Sequence, residues 1–146
     1  FNNGYLLSVL FEGSTDWSGA ASQQLWVDSI MIDLSNGQVL TTENLFQLEI
    51  PTDWKEVLAE KSYGLLMERL GSEMIWDEGL LPTGENFSNM LVTQPGLLII
   101  FDQYQVAAGV AGTPTVIIPW LEIAAIINPQ SRISELVIAG GSLEVN

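Results

Sequence analysis

The chain of 146 residues reads as an α+β domain, an antiparallel or mixed β-sheet packed against two principal helices. Three observations predict this. Tyr5, Leu7, Val9 and Phe11 alternate with Leu6, Ser8, Leu10 and Glu12, which is a strand with one strongly apolar face. Trp54, Val57, Leu58, Leu65, Leu66, Arg69 and Leu70 keep mostly to three- and four-residue spacing, the period of a helix with one buried face. Leu97 to Phe101 is an unbroken apolar run, short enough for a strand covered on both sides.

The elements follow in order. Gly13 to Ser22 is polar and small and predicts a loop, after which Gln24 to Leu34 carries a longer strand. Asn36-Gly37 supplies positive φ angles for a two-residue hairpin turn, and Val39-Leu40 return briefly as strand. Thr41 and Thr42 can cap a short helix bearing Leu45 and Phe46, and Pro51 ends the following loop. Asp53-Trp54-Lys55-Glu56 has capping-box spacing and opens the main helix, with Gly71 as its stop. Residues 72–86, with Gly79, Pro82 and Gly84, are the least regular.

Strands near Phe87 to Val92 and Leu97 to Phe101 are expected to pair across Gln94-Pro95-Gly96. Asp102 and Gln103 break the run, and Ala107 to Gly112 is small-residue backbone suited to a close turn. Thr115 to Ile118 restarts a β-branched strand, and Pro119 predicts the first position of a helix reaching about Ile127, closed by Asn128-Pro129. Residues 1–128 form one domain on this reading. Residues 129–146 are an extension, with Leu136 to Ala139 as an edge strand or with the whole as a loosely held tail.

Composition narrows the chemistry. The chain has no cysteine and no histidine, which removes disulfides, thiolate metal sites, the usual general base near neutral pH and the commonest zinc ligand. Eighteen acidic residues against four basic ones give a formal charge of −14, which repels phosphate backbones and anionic lipid surfaces, so nucleic acid is not an expected partner. With 47% hydrophobic residues the charge does not signal disorder. No apolar run approaches the roughly 20 residues that cross a bilayer. The chain opens at Phe1 without methionine, which leads us to expect a trimmed or processed piece.

Motifs for catalysis are weak. Asp77-Glu78 is the densest acidic pair, but adjacent carboxylates seldom converge on one bond, and a solvated loop is the expected setting. No stretch has calcium-loop spacing, and Gly109-Val110-Ala111-Gly112 lacks the lysine and Ser/Thr of a phosphate loop. We therefore expect no catalytic residues, no metal and no cofactor. Trp54 and Trp120 fall on helices beside apolar neighbours and are core candidates, whereas Trp17 lies in a polar loop as either a flap over the core or an exposed contact residue.

The segment Gly96 to Trp120 resembles the RsiV-like family of bacterial domains, found in the extracytoplasmic anti-sigma factor RsiV and in peptidoglycan deacetylases of the PdaC type. Its strand, Tyr-containing loop running into Ala-Gly, strand ending in Ile-Pro and helix are matched by Tyr104, Ala111, Gly112, Ile118 and Pro119. Upstream, Ser18-Gly19-Ala20-Ala21, Asp33-Leu34, Gly37 and Leu45-Phe46 fill the places of a Gly-Ala loop, a strand ending in Asp-Leu, a Gly turn and a Leu-Phe helix. The resemblance covers most of residues 1–128. It implies a non-catalytic, extracytoplasmic binding or sensor domain whose partner is a cell-envelope protein, such as a cationic lysozyme-like protein. The partner-binding candidates are Trp17, Ser18, Gly19, Ala20 and Ala21 in the first loop, with Tyr104, Gly109, Val110 and Gly112 in the second. The alternative is an accessory module for cell-wall polysaccharide, peptidoglycan included, or for an enzyme acting on it, with Trp17 and Tyr104 stacking on sugars. A carboxylate-based hydrolase is the third reading.

Overall fold

A computed structural model describes residues 1–19 and 23–142, with the side chains of 140–142 left aside. Two three-stranded antiparallel sheets are present, in the orders β1-β2-β3 and β4-β5-β6. The fold is thus α+β, with two small sheets where one was expected.

β1 (Leu6–Thr15) and β2 (Gln24–Asp33) pair over ten positions, from Leu6 opposite Asp33 to Thr15 opposite Gln24. Strand therefore continues through Gly13 to Thr15, which the sequence placed in a loop. The face that packs inward is also the reverse of the expected one. Leu6, Ser8 and Met31 are buried, whereas Tyr5 and Phe11 on the more apolar face are exposed. Alternation identifies two faces of a strand; only the neighbours decide which one is covered.

The turn between β2 and β3 (Gln38–Val39) spans Leu34 to Gly37, four residues rather than the two expected of Asn36-Gly37. Gly37 alone takes a positive φ there, 73°, and donates its N–H to Asp33 O at 2.7 Å. Asn36 contributes its side chain, accepting from Gln38 N at 2.8 Å. Replacing Gly37 by valine is expected to destabilise the domain by about 1 kcal/mol or more, through a β-branched residue forced to positive φ. An unchanged urea midpoint would contradict that account of the turn.

Thr41 caps α1 (Thr42–Leu45) with the help of Asn44, whose Oδ1 accepts from Thr41 N at 2.9 Å. Leu45 and Phe46 are then buried, and Phe46 stacks on Trp54 at 4.6 Å between ring centroids. α2 (Trp54–Leu70) starts where Asp53 accepts from Lys55 N at 3.0 Å, and ends at Gly71 with φ 85°. Trp54, Leu58, Ser62 and Leu66, each four residues apart, make its buried stripe. Ser72–Met74 and Asp77–Leu80 are two short 3-10 turns.

β4 (Met90–Val92), β5 (Gly96–Ile100) and β6 (Thr115–Pro119) form the second sheet, with β5 in the centre and α2 against β6. Leu97, Ile99, Ile100 and Phe101 are fully enclosed, as the unbroken apolar run implied. The first sheet abuts this one beside β4, where Ser29 Oγ meets Asn89 Oδ1 at 3.4 Å.

Two expectations near the C-terminus are corrected. The helix predicted from Pro119 to Ile127 is only α3 (Trp120–Ile123) followed by a 3-10 turn at Ala124–Ile126, and Pro119 ends β6. Backbone pairing explains the early stop: Gln47 N donates to Ile126 O, and Asn128 N to Leu45 O, both at 2.8 Å, holding Ile127 between them in an extended bridge to Phe46. The predicted edge strand or tail at Leu136 to Ala139 is instead helix, α4 (Ser134–Ser142). Its approach is anchored by Ile133, which is buried, and Leu136 and Val137 pack on the core one turn later. Arg132, beside it, lies 3.7 Å from Asp33 and over the ring of Tyr5. The Ser35 hydroxyl and N–H both donate to Asp33 and hold its carboxyl below the usual carboxylate range, with the Arg132 charge a smaller contribution in the same direction. No helix among the described residues is long and apolar enough to cross a membrane.

Candidate functional site

At the far end of the β1–β2 hairpin the chain leaves the sheet through Asp16, Trp17, Ser18 and Gly19, the last at φ 94°. Trp17 is 67% exposed and so is not a flap over the core. Ser18 and Gly19 are exposed beside it, while Ala20 and Ala21 lie outside the described residues. Gln23 closes the loop by donating to Asp16 Oδ2 at 3.1 Å.

The hairpin register places Trp26 opposite Gly13, and the indole covers the glycine so closely that a Cβ at position 13 would overlap the ring. This is why a glycine survives inside a strand: an aromatic cross-strand partner shields the backbone that has no side chain of its own. Trp26 remains 47% exposed and so presents one indole face outward.

The second loop starts with a turn in which Gln105 N donates to Asp102 O at 3.0 Å and Asp102 N donates to Gln105 Oε1 at 2.9 Å. Tyr104, its third residue, has φ 69°, the one positive φ outside glycine among the described residues. A side chain in that region costs about 1–2 kcal/mol, so the surrounding bonds hold the strain. The exposed Tyr104 ring lies over Gly109, where a Cβ would overlap it. Gly109–Ala111 is a 3-10 turn with Val110 at its crest, 91% exposed, and Gly112 turns the chain back at φ 67°.

Gln103 ties the second loop to the hairpin strand β2. Its Oε1 accepts from Leu25 N at 2.9 Å and its Nε2 donates to Gly109 O at 3.3 Å. Beside this strut is an open groove of about 340 Å³, bounded by Glu12, Ser14, Gln23, Leu25 and Trp26 from the hairpin and Thr113 from the second loop. The second loop thus reaches the hairpin through Leu25 and across the groove at Thr113, while the predicted residues Trp17, Ser18, Gly19, Tyr104, Gly109, Val110 and Gly112 do not line that groove; the strut Gln103 and the indole of Trp26 were not among the predicted residues. Trp26 could have been found from its place opposite Gly13, given the register. Gln103 leaves no local signal, because its partner is 78 residues away in the chain.

Elsewhere, Asp77 and Glu78 lie exposed on a 3-10 turn. Among the described residues no three acidic side chains gather closely enough to hold a metal ion.

These features define an α+β domain whose second loop is braced on its first hairpin. The family described as a protein of unknown function (DUF3298) matches residues 43–121, more than half the chain, and the protein belongs to it. The second loop lies inside that span and the hairpin outside it. Two solved DUF3298 structures share the fold. One, from Bacteroides fragilis, is 19% identical with a TM-score of 0.72, over 92% of this chain and 53% of its own. The other, from Pseudomonas aeruginosa, is 17% identical with a TM-score of 0.63, over 86% of this chain and 56% of its own. The chain thus spans just over half the length of either. A comparison with curated proteins finds no match.

Proposed function

We propose that this is a non-catalytic binding domain of the RsiV-like kind, working outside the cytoplasm and taking a cationic, lysozyme-like protein on the surface built by the two loops. The observation that supports the reading is the Gln103 strut, which braces the loop carrying exposed Tyr104 against the hairpin that carries exposed Trp17 and Trp26, with Trp26 lining the groove beside it. Exposed aromatics on braced loops are the residue type that dominates protein interfaces. The charge of −14 supplies long-range attraction for a basic partner. A sequence without histidine or cysteine favours binding over hydrolysis. A second reading, an accessory module for cell-wall polysaccharide, is favoured by the open indole face of Trp26 over Gly13, a flat platform for a sugar ring.

One set of binding kinetics separates them. With lysozyme as the partner, the association rate should fall steeply with salt, since attraction is screened beyond about 10 Å at 0.1 M ionic strength. Trp17→Ala and Tyr104→Ala should each raise the dissociation rate roughly tenfold, as expected of contact residues, and leave the circular dichroism unchanged. Wild-type lysozyme kinetics in both variants would overturn the loop surface. Binding of peptidoglycan fragments, lost in Trp26→Ala and indifferent to salt, would favour the polysaccharide reading.

A further inference from the structure

The inner edge of β2 is closed at both ends by the fold and open between them. Leu25 N donates to Gln103 Oε1, and Met31 O accepts from Leu40 N at 2.8 Å, both on the side away from β1. Alternation then aims the N–H and C=O of Val27 to that same side. β3 pairs only with Ile32 and Asp33, so among the described residues Val27 has no backbone partner there. Val27 is half-buried, a setting in which backbone groups are seldom left bare.

Val27 lines the groove beside the Gln103 strut, together with Glu12, Ser14 and Leu25. The register sets Glu12 opposite Val27 and Ser14 opposite Leu25, so the four share one face. The groove thus offers apolar side chains next to a carboxylate, and Glu12 is the one ionisable residue among those that line it. The chain supplies no counterion. All four cations of the sequence are engaged elsewhere: Lys55 lies 2.9 Å from Asp53, Lys61 2.9 Å from Glu122 and Arg132 3.7 Å from Asp33, and Arg69 Nη1 donates to Thr115 O at 2.8 Å.

We propose that the groove takes one arginine side chain of a protein partner. Its methylene stem lies over Val27 and Leu25, and its guanidinium forks onto the Glu12 carboxylate and gives a further N–H to Val27 O. Arginine is the better match than lysine. An ammonium gains little from an exposed carboxylate, whereas the planar fork makes two parallel bonds and also suits the Trp26 indole that lines the groove. The volume of about 340 Å³ is at the low end for ligand pockets and suits one long side chain. A second copy of this chain is a poor source, because both its arginines are held and two chains of charge −14 repel. The inference rests on the protein-binding reading of this surface and names the residue that such a partner presents.

The test titrates the whole chain with N-acetyl-arginine amide and follows backbone amide shifts by NMR. Salt is kept at about 0.15 M, where attraction is screened beyond roughly 8 Å. Saturable shifts should appear at Glu12, Leu25, Val27 and Asp28, with a dissociation constant on the order of millimolar. The lysine derivative should bind at least about threefold more weakly, and the neutral isostere citrulline should not bind. Glu12→Gln should weaken arginine about tenfold. Asp28→Asn removes the same charge one residue along β2 on the other face, keeps the Oδ1 that accepts from Ser29 N, and should change nothing. Equal binding of arginine and lysine, or equal losses in the two variants, would reduce the effect to diffuse electrostatics and overturn the proposal. So would the absence of any saturable response. The lysozyme kinetics of Trp17→Ala and Tyr104→Ala read the loops separately, so either reading can fail while the other holds.

Discussion

Trp120→Ala is expected to destabilise the domain by about 3–5 kcal/mol, the range for truncating a large buried aromatic. The indole is 1% exposed and lies where β6 passes into α3. Its Nε1 donates to Thr93 O at 3.0 Å and to Gln94 O at 3.1 Å, so the ring also holds the turn between β4 and β5. Alanine leaves a cavity beside a rigid sheet and removes the donor from both carbonyls, two costs that add. For a chain of this size the melting midpoint should drop by roughly 10 °C. Trp17→Ala is the matched control, since an exposed loop indole should change stability by no more than about 0.5 kcal/mol. Equal shifts in the two variants would mean that Trp120 does not close the core.

Gly79→Ala should cost about 1–3 kcal/mol by overpacking, and should also loosen the second loop. Gly79 is buried, and a Cβ there would overlap the backbone carbonyl of Gln105, which cannot swing aside as a side-chain tip could. The same glutamine donates to Gly79 O at 3.1 Å and Asn86 O at 3.0 Å while closing the turn that holds Tyr104. Trp76 N reaches Val106 O at 2.9 Å one step further along. Displacing Gln105 therefore reaches the strained Tyr104, and amides of residues 102–107 should exchange faster than in the wild type. Gly64→Ala provides the contrast, because its Cβ on α2 meets open space and should stabilise by about 0.5–1 kcal/mol. A Gly79→Ala protein with wild-type stability would show that the 3-10 turn can move away from the loop at little cost.

The features legible from the residues alone are local. Asp53 and Gly71 bound the main helix because a carboxylate can accept early helical N–H groups and glycine tolerates positive φ. The Leu97 to Phe101 run became the central strand because five apolar residues in a row need cover on both faces. Trp120, a large indole beside apolar neighbours, went inside as its setting implied. The tertiary structure decided the rest. Both faces of Leu6 to Phe11 carry apolar side chains, so the pattern could not say that Leu6 and Ser8 turn inward while Phe11 faces out; packing beside β4 chose. The run Leu136 to Ala139 suits a strand or a helix, and Ile133 in its pocket made it helix. Gln103 became the strut of the loop surface only when the fold brought it to Leu25, because a hydrogen bond between segments far apart in the chain leaves no mark on either one alone.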